Sequence, residues 1–292
     1  MNVGAAQVDI TPPPGIDLCG FAARAQPSIE VLDRLHVRAL FLQQDGRCLL
    51  WLHFDLIALD RAFVDDVRDS AARELGLAQR EVLLSATHTH SGPATIPLIG
   101  CGRRDEGYGV TLRSAARTAA AKAMRNTAAV EMFGGEAPLE LAVHRRGPRS
   151  RHTDPRAHAI VWRLPDGKVV AGCLNYAMHP VSLGYVNRKI SGDWCGYAAD
   201  AASRQLLDSP VVLVTSGAAG NLNPPGEDMP LEQTRELGER VAAAALLNLA
   251  GATPSPFSVR SVTVPVPRAL TWLTIMGLVR RRCVDQRVRG SW

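Results

Sequence analysis

Two histidines one residue apart carry the first chemistry visible in this chain. Residues 85–93 read Ser-Ala-Thr-His-Thr-His-Ser-Gly-Pro, which puts His88 and His90 just beyond the apolar run at 81–84. In extended chain, side chains alternate faces, so these imidazoles would share a face at roughly 7 Å between Cα atoms. Neutral imidazoles so placed can share a divalent cation; the plainer reading is a solvated pair at a strand end. Residues 175–180, Asn-Tyr-Ala-Met-His-Pro, repeat the pattern, an apolar strand delivering His179 immediately before a proline. Proline cannot donate to a ladder, so both segments end in corners. Loops beyond strand ends are where α/β sheets place their ligands. Three imidazoles, or two with a carboxylate, make an open zinc site with one position left for water.

Two further segments bear on the same chemistry. In residues 191–198, Ser-Gly-Asp-Trp-Cys-Gly-Tyr-Ala, Asp193 stands at a loop-to-helix start. It reads as a helix N-cap, and equally as a metal ligand or as the partner that orients a ligating histidine. Residues 215–224, Thr-Ser-Gly-Ala-Ala-Gly-Asn-Leu-Asn-Pro, follow a strand with small residues whose backbone N–H groups can face an oxyanion. The Gly-Lys-Ser/Thr ending of a phosphate-binding loop is absent.

The elements that must position these residues alternate. Strands are expected at 3–10, 36–43, 48–55, 81–90, 139–143, 158–164, 169–177 and 211–215. Turns at 44–47 and 165–168 make hairpins of two of the pairs. Apolar residues at four-residue steps predict a helix over 59–75, closed by Gly76. Further helices are expected at 111–124, 192–207 and 231–249. This pattern predicts an α/β fold: a single domain with one mixed β-sheet flanked by helices over 1–255, followed by an irregular basic tail at 256–292. No internal repeat is visible.

Composition excludes some functions. The apolar fraction is 46% with 21% charged residues, the balance of an ordinary globular protein. Net charge is +5, but the last thirteen residues hold five Arg and one Asp, so the body is nearly neutral. A nucleic-acid groove needs a basic surface on the folded domain, so no such partner is expected. Six cysteines show no paired spacing and read as reduced. The first residues show no basic segment followed by an apolar stretch, so a cytoplasmic location is expected. The tail, with Trp272 and Trp292, suggests a peripheral membrane contact.

Taken in order, residues 85–93, His-Arg-Arg at 144–146, and the segments 175–180, 191–198 and 217–224 resemble the N-terminal domain of the neutral/alkaline non-lysosomal ceramidases. The opening Val-Gly-Ala-Ala-Gln-Val-Asp-Ile-Thr-Pro-Pro at 3–13 is similar too, and the resemblance covers roughly residues 3–250. It implies a zinc-dependent hydrolase of an N-acyl, ceramide-like amide bond. By match, His88 and His179 are metal ligands, and His90 is a ligand or a hydrogen-bond partner of the attacking water. Arg145 or Arg146 matches an Arg that faces the substrate. The family's late Glu and Tyr ligands have no counterpart here, and Asn223 stands where ceramidases carry their catalytic serine. The expected substrate is a small-molecule or lipid amide, attacked by metal-activated water with Asp193 or His90 handling the proton. The rival expectation is a truncated family member that folds and binds ligand or metal without turnover.

Overall fold

The computed structural model of this 292-residue chain describes residues 1–145 and 153–249. Arg146 and the basic tail therefore lie outside the described residues.

The first half opens with β1 (Asn2–Asp9), a two-residue β2 (Glu30–Val31), and the hairpin β3 (His36–Gln44) and β4 (Arg47–Phe54). The hairpin turns on Asp45 and Gly46, both at positive φ (51° and 72°), the geometry that matches strand twist in two-residue turns. Helix α1 (Arg61–Leu75) starts where Asp60 accepts from the Phe63 N–H at 2.7 Å and stops at left-handed Gly76. Then come β5 (Val82–Ala86), α2 (Glu106–Arg125), capped by Asp105, and the short β6 (Ala128–Ala129). The second half holds β7 (Glu131–Pro138), β8 (Val143–His144), β9 (Arg156–Arg163) and β10 (Val169–Asn175). It ends with β11 (Lys189–Ile190), α3 (Asp193–Gln205), β12 (Val211–Thr215), β13 (Leu222–Asn223) and α4 (Leu231–Leu246).

The α/β class matches expectation, but the strands form two principal sheets rather than one. Their orders are β5-β4-β3-β1-β6 and β12-β10-β9-β7. Each contains one parallel pair, β4 with β5 and β10 with β12, among antiparallel neighbours. Periodicity marks a strand without saying which sheet it joins, so one alternating pattern fits either arrangement. The expected strand at 139–143 is also displaced. Tyr176 Oη accepts the backbone N–H groups of Leu141 and Ala142 at 2.9 Å each, so a side chain satisfies this stretch in place of a ladder.

Helices α1 and α2 cover the outer face of the first sheet, packing on Val37, Ala39, Phe41, Leu50, Leu52 and Phe54. Helices α3 and α4 cover the second sheet and cross closely at Gly238, where a Cβ would meet the Trp194 carbonyl at 2.7 Å. The inner faces of the sheets meet around a polar core. Cross-strand neighbours Arg38 and His53 both point inward. His53 donates from Nε2 to the Val214 carbonyl at 2.9 Å, tying one sheet to the other. Its Nδ1 accepts from Ser85 Oγ at 2.7 Å, and Ser85 Oγ in turn accepts from Trp51 Nε1 at 2.7 Å. Asp55 balances the Arg38 charge at 2.7 Å.

The halves also repeat one another. In the first, β1-β3-β4 is an antiparallel meander, α1 crosses over, and β5 returns parallel to β4 before α2. In the second, β7-β9-β10 is the same meander, α3 crosses over, and β12 returns parallel to β10 before α4. Even the residue two past the returning strand matches in conformation, His88 at φ 70° and Gly217 at φ 57°. The sequence shows none of this because topology tolerates wholesale substitution. Among the described residues, no helix is long and apolar enough to cross a membrane.

Candidate metal centre

Strand β5 ends at Ala86, so His88 and His90 belong to the following loop and not to a strand face. His88 takes a left-handed φ of 70°, with its N–H bonded to the Leu56 carbonyl at 2.9 Å, so the 88–90 stretch departs from strand alternation. The two rings nevertheless come together. Their centroids are 5.0 Å apart, and His179, delivered by the loop after β10, stands 4.8 Å from His88 and 5.2 Å from His90. One ligating atom from each ring lies within 4.8 Å of the other two.

The loops are stitched directly. The His90 N–H donates to the Pro180 carbonyl at 3.2 Å, and the Ser191 N–H to the Ser91 carbonyl at 3.0 Å. Thr89 Oγ1 donates to the Ser191 carbonyl at 2.9 Å.

Two rings are fixed in one tautomer. His88 Nδ1 donates to the Ile57 carbonyl at 2.7 Å, and His179 Nδ1 to the Ala219 carbonyl at 3.0 Å. A ring nitrogen facing a carbonyl must carry the proton, which leaves Nε2 of each ring as a lone-pair donor. The two arrangements are mirror assignments of the repeat. In the first half the loop after β5 gives the ring and the loop after β4 gives the carbonyl; in the second half the roles of those loops are exchanged. His90 is different: both of its ring nitrogens are buried without a hydrogen-bond partner. Burial, then the neighbouring His88, His179 and Arg24, push its pKa down to about 3. Burial likewise lowers that of His179. Neutral imidazoles with aimed lone pairs are the state that a divalent metal requires, so the residues present fit such an ion.

The other expected residues fall around this cluster in different ways. Arg145 donates from its backbone N–H to Asn221 at 2.9 Å and from Nε to the Gly220 carbonyl at 3.1 Å. It is thus tied to the loop whose Ala219 orients His179, and its charge helps to depress that ring's pKa. Asn223 sits in β13, next to Leu222, whose carbonyl accepts the His179 N–H at 2.9 Å. Its Oδ1 is buried without a partner. Asp193 is fully buried outside the imidazole cluster. Its carboxylate accepts from Ser182 Oγ at 2.6 Å, the Trp194 N–H at 2.8 Å, and the Ser182 and Leu183 N–H groups at 3.3 Å each. It therefore holds the corner just past His179.

Sequence reasoning passed over the loop that forms the third wall. Arg24 is buried and donates to the His90 carbonyl at 2.7 Å and to Gly184 at 3.0 Å. Phe21 meets the His90 ring edge-on at 5.0 Å. Gly20, at φ 113°, lies so close that a Cβ there would come within 2.4 Å of the His90 ring. Nothing in residues 16–29 has a spacing that signals a site.

The chain matches the family described as neutral/alkaline non-lysosomal ceramidase, N-terminal, over residues 1–211. It belongs to that family. The crystal structure of neutral ceramidase from Pseudomonas aeruginosa aligns with a TM-score of 0.77 at 23% identity, covering 86% of this chain and 44% of that one. A ceramidase complexed with C2 aligns at 0.76 and 22%, with the same coverage. Likeness at this identity is one of fold. The chain spans less than half the length of either solved ceramidase. No curated protein matches it.

Proposed function

We propose that the chain is a metal-dependent hydrolase of N-acyl amide bonds, with zinc as the ion at His88, His90 and His179. The observation that carries this reading is the pair of carbonyl-locked rings, His88 on Ile57 and His179 on Ala219, closing on the partnerless His90. Zinc supplies Lewis acidity and makes water nucleophilic near neutral pH.

The chain's own residues do the rest. Arg145 offers a cation to the oxyanion that develops on the carbonyl oxygen as water adds to the acyl carbon, a type of contact worth ~3 kcal/mol. Asn223 cannot be acylated as a serine can, so water attacks the carbonyl directly. Its orphaned Oδ1 suits the N–H of a substrate amide. The Asp193 carboxylate is saturated by four bonds outside the cluster, so the proton for the leaving amine does not come from it.

The test is metal content of the purified chain together with hydrolysis of a short-chain N-acyl sphingosine. His88→Ala and His179→Ala each lose the metal and the hydrolysis. Undiminished metal in both variants overturns the reading. A second reading, binding without turnover, is favoured by Asn223 in the serine's place and by a donor set of only three imidazoles among the described residues. Metal retained with no hydrolysis selects it.

A further inference from the structure

His90 is held differently from the other two imidazoles. His88 and His179 are each locked through Nδ1 by a carbonyl, whereas neither ring nitrogen of His90 has a partner. Its aim rests on packing and on the backbone to either side, Thr89 and Ser91. Both of those neighbours are bonded to one residue of the second half. Thr89 Oγ1 donates to the Ser191 carbonyl at 2.9 Å, and the Ser191 N–H donates to the Ser91 carbonyl at 3.0 Å. Whatever fixes Ser191 therefore fixes the flanks of His90.

Ser191 is fixed from the first half. Short β2 runs parallel to β11, and the pairing continues as the Leu32 N–H donates to the Ile190 carbonyl at 2.9 Å. This brings Asp33 level with Ser191 and Gly192 at the start of α3. The N-cap of that helix is Gly192, which has no side chain to offer. Asp33 supplies the carboxylate from outside. Its Oδ1 accepts the Gly192 N–H at 2.7 Å, and its Oδ2 accepts from the hydroxyls of Ser191 and Tyr197, the latter at 2.8 Å. A carboxylate suits this place, because a helix start presents unpaired N–H groups and the positive end of its dipole. Gly192 and Gly196 leave room for it: a Cβ on them would stand 3.4 and 3.2 Å from Oδ1. Ser191 Oγ, its proton given to Asp33, accepts the Asp193 N–H at 2.9 Å. Every polar atom of Ser191 is thereby engaged.

We propose that Asp33 is a positioning residue for the metal centre, clamping Thr89 and Ser91 through Ser191 and so aiming the His90 imidazole. This rests on the metal reading above. Asp33 acts through Ser191 and not on the reacting atoms. Its loss frees the Ser191 hydroxyl and slackens residues 89–91, while His88 and His179 keep their own carbonyls. The disturbance is therefore selective for His90.

The experiment follows the ring nitrogen resonances of the eight histidines in the metal-free chain, with zinc affinity read alongside by chelator competition. Asp33→Ala shifts the His90 resonances and leaves those of His88 and His179 in place. It weakens zinc about 10–100-fold, the range for losing an outer support. Should that variant not fold, Asp33→Asn serves. Its Oδ1 still accepts the Gly192 N–H, but its amide meets the Ser191 hydroxyl with a donor where an acceptor stood, so the same selective shift is expected. Tyr197→Phe removes a bond from the same carboxylate without touching Ser191, and it keeps the parent's resonances and zinc affinity. Unmoved His90 resonances in the folded Asp33 variants overturn the proposal, as does unchanged affinity where the parent binds zinc. So do shifts of all three rings together, which mark a general loosening, or a Tyr197→Phe variant that behaves like Asp33→Ala. A parent that binds no zinc defeats the metal reading alone, and the resonances of the metal-free chain still decide whether Asp33 aims His90.

Discussion

Arg24 Nη1 donates to the His90 carbonyl at 2.7 Å while its Nη2 holds Gly184 at 3.0 Å. The guanidinium has no carboxylate partner among the described residues, and burial lowers its pKa to about 10. It binds backbone on two loops at once, which makes it a positioning residue for the imidazole set. Arg24→Met removes charge-assisted bonds worth about 1.5–3 kcal/mol each. The expected result is metal affinity weakened about 10–100-fold, the usual cost of losing an outer support. Competition with a chelator measures this, and an unchanged affinity would refute the role. Arg24→Lys does not rescue, since an ammonium cannot fork between two carbonyls.

Gly20→Ala tests the third wall. A Cβ there would sit 2.4 Å from the His90 ring, whereas one on Gly46 (φ 72°) meets nothing within 4 Å. Both changes carry the strain of positive φ, about 1 kcal/mol, but only the first displaces the ring. Gly20→Ala therefore loses metal where Gly46→Ala keeps it, as read by metal content after dialysis.

The buried His53 sets a pH limit on the fold. Burial lowers its pKa to about 4, against an ordinary 6.5, because its ring must stay neutral between Ser85 and Val214. The unfolded chain takes up that proton first. His53 stability is therefore full above pH 6.5 and is lost as pH falls through 4, by about 3 kcal/mol at most. Asp33, bonded to Gly192 at 2.7 Å and Tyr197 at 2.8 Å, works in the opposite sense. Its pKa is raised by burial to about 6, so its contribution is present below pH 3.8 and lost as pH rises through 6. Urea midpoints across pH 4–7.5 should fall less steeply toward acid in His53→Gln than in the parent. Parallel curves would remove His53 from the account.

Asn223 makes a prediction about intermediates. Its amide is not a nucleophile, so the intact chain, quenched during turnover and weighed by mass spectrometry, carries no acyl group at residue 223. An acylated peptide containing residue 223 would contradict attack by water.

The parts of this protein that follow from local chemistry were legible in the sequence. Gly76 closes α1 as expected, although the helix starts at Arg61 behind its Asp60 cap and not at 59; Asp45-Gly46 turns the first hairpin, and β12 begins and ends where its apolar run does. His88, His90 and His179 stood out because histidines beside strand-ending prolines are uncommon furniture. The split into two sheets was hidden, since it is decided by which inner faces meet. So was Arg24, which acts on carbonyls through a contact spanning 66 residues. Asp193 was visible as a residue, but its helix-start bonds to Ser182 and Leu183 could be placed only once the corner after His179 was folded.

The repeated architecture has a consequence for motion. Two donors come from the earlier copy and one from the later, and each copy braces its own ring with its own carbonyl. Neither copy alone can satisfy a cation. An ion seated among the three rings would act as a rivet through the seam, so stripping it should loosen the joint between the copies before it loosens either one. Amide exchange at His90 and Ser191, whose N–H groups cross the seam to Pro180 and Ser91, would report that slackening first.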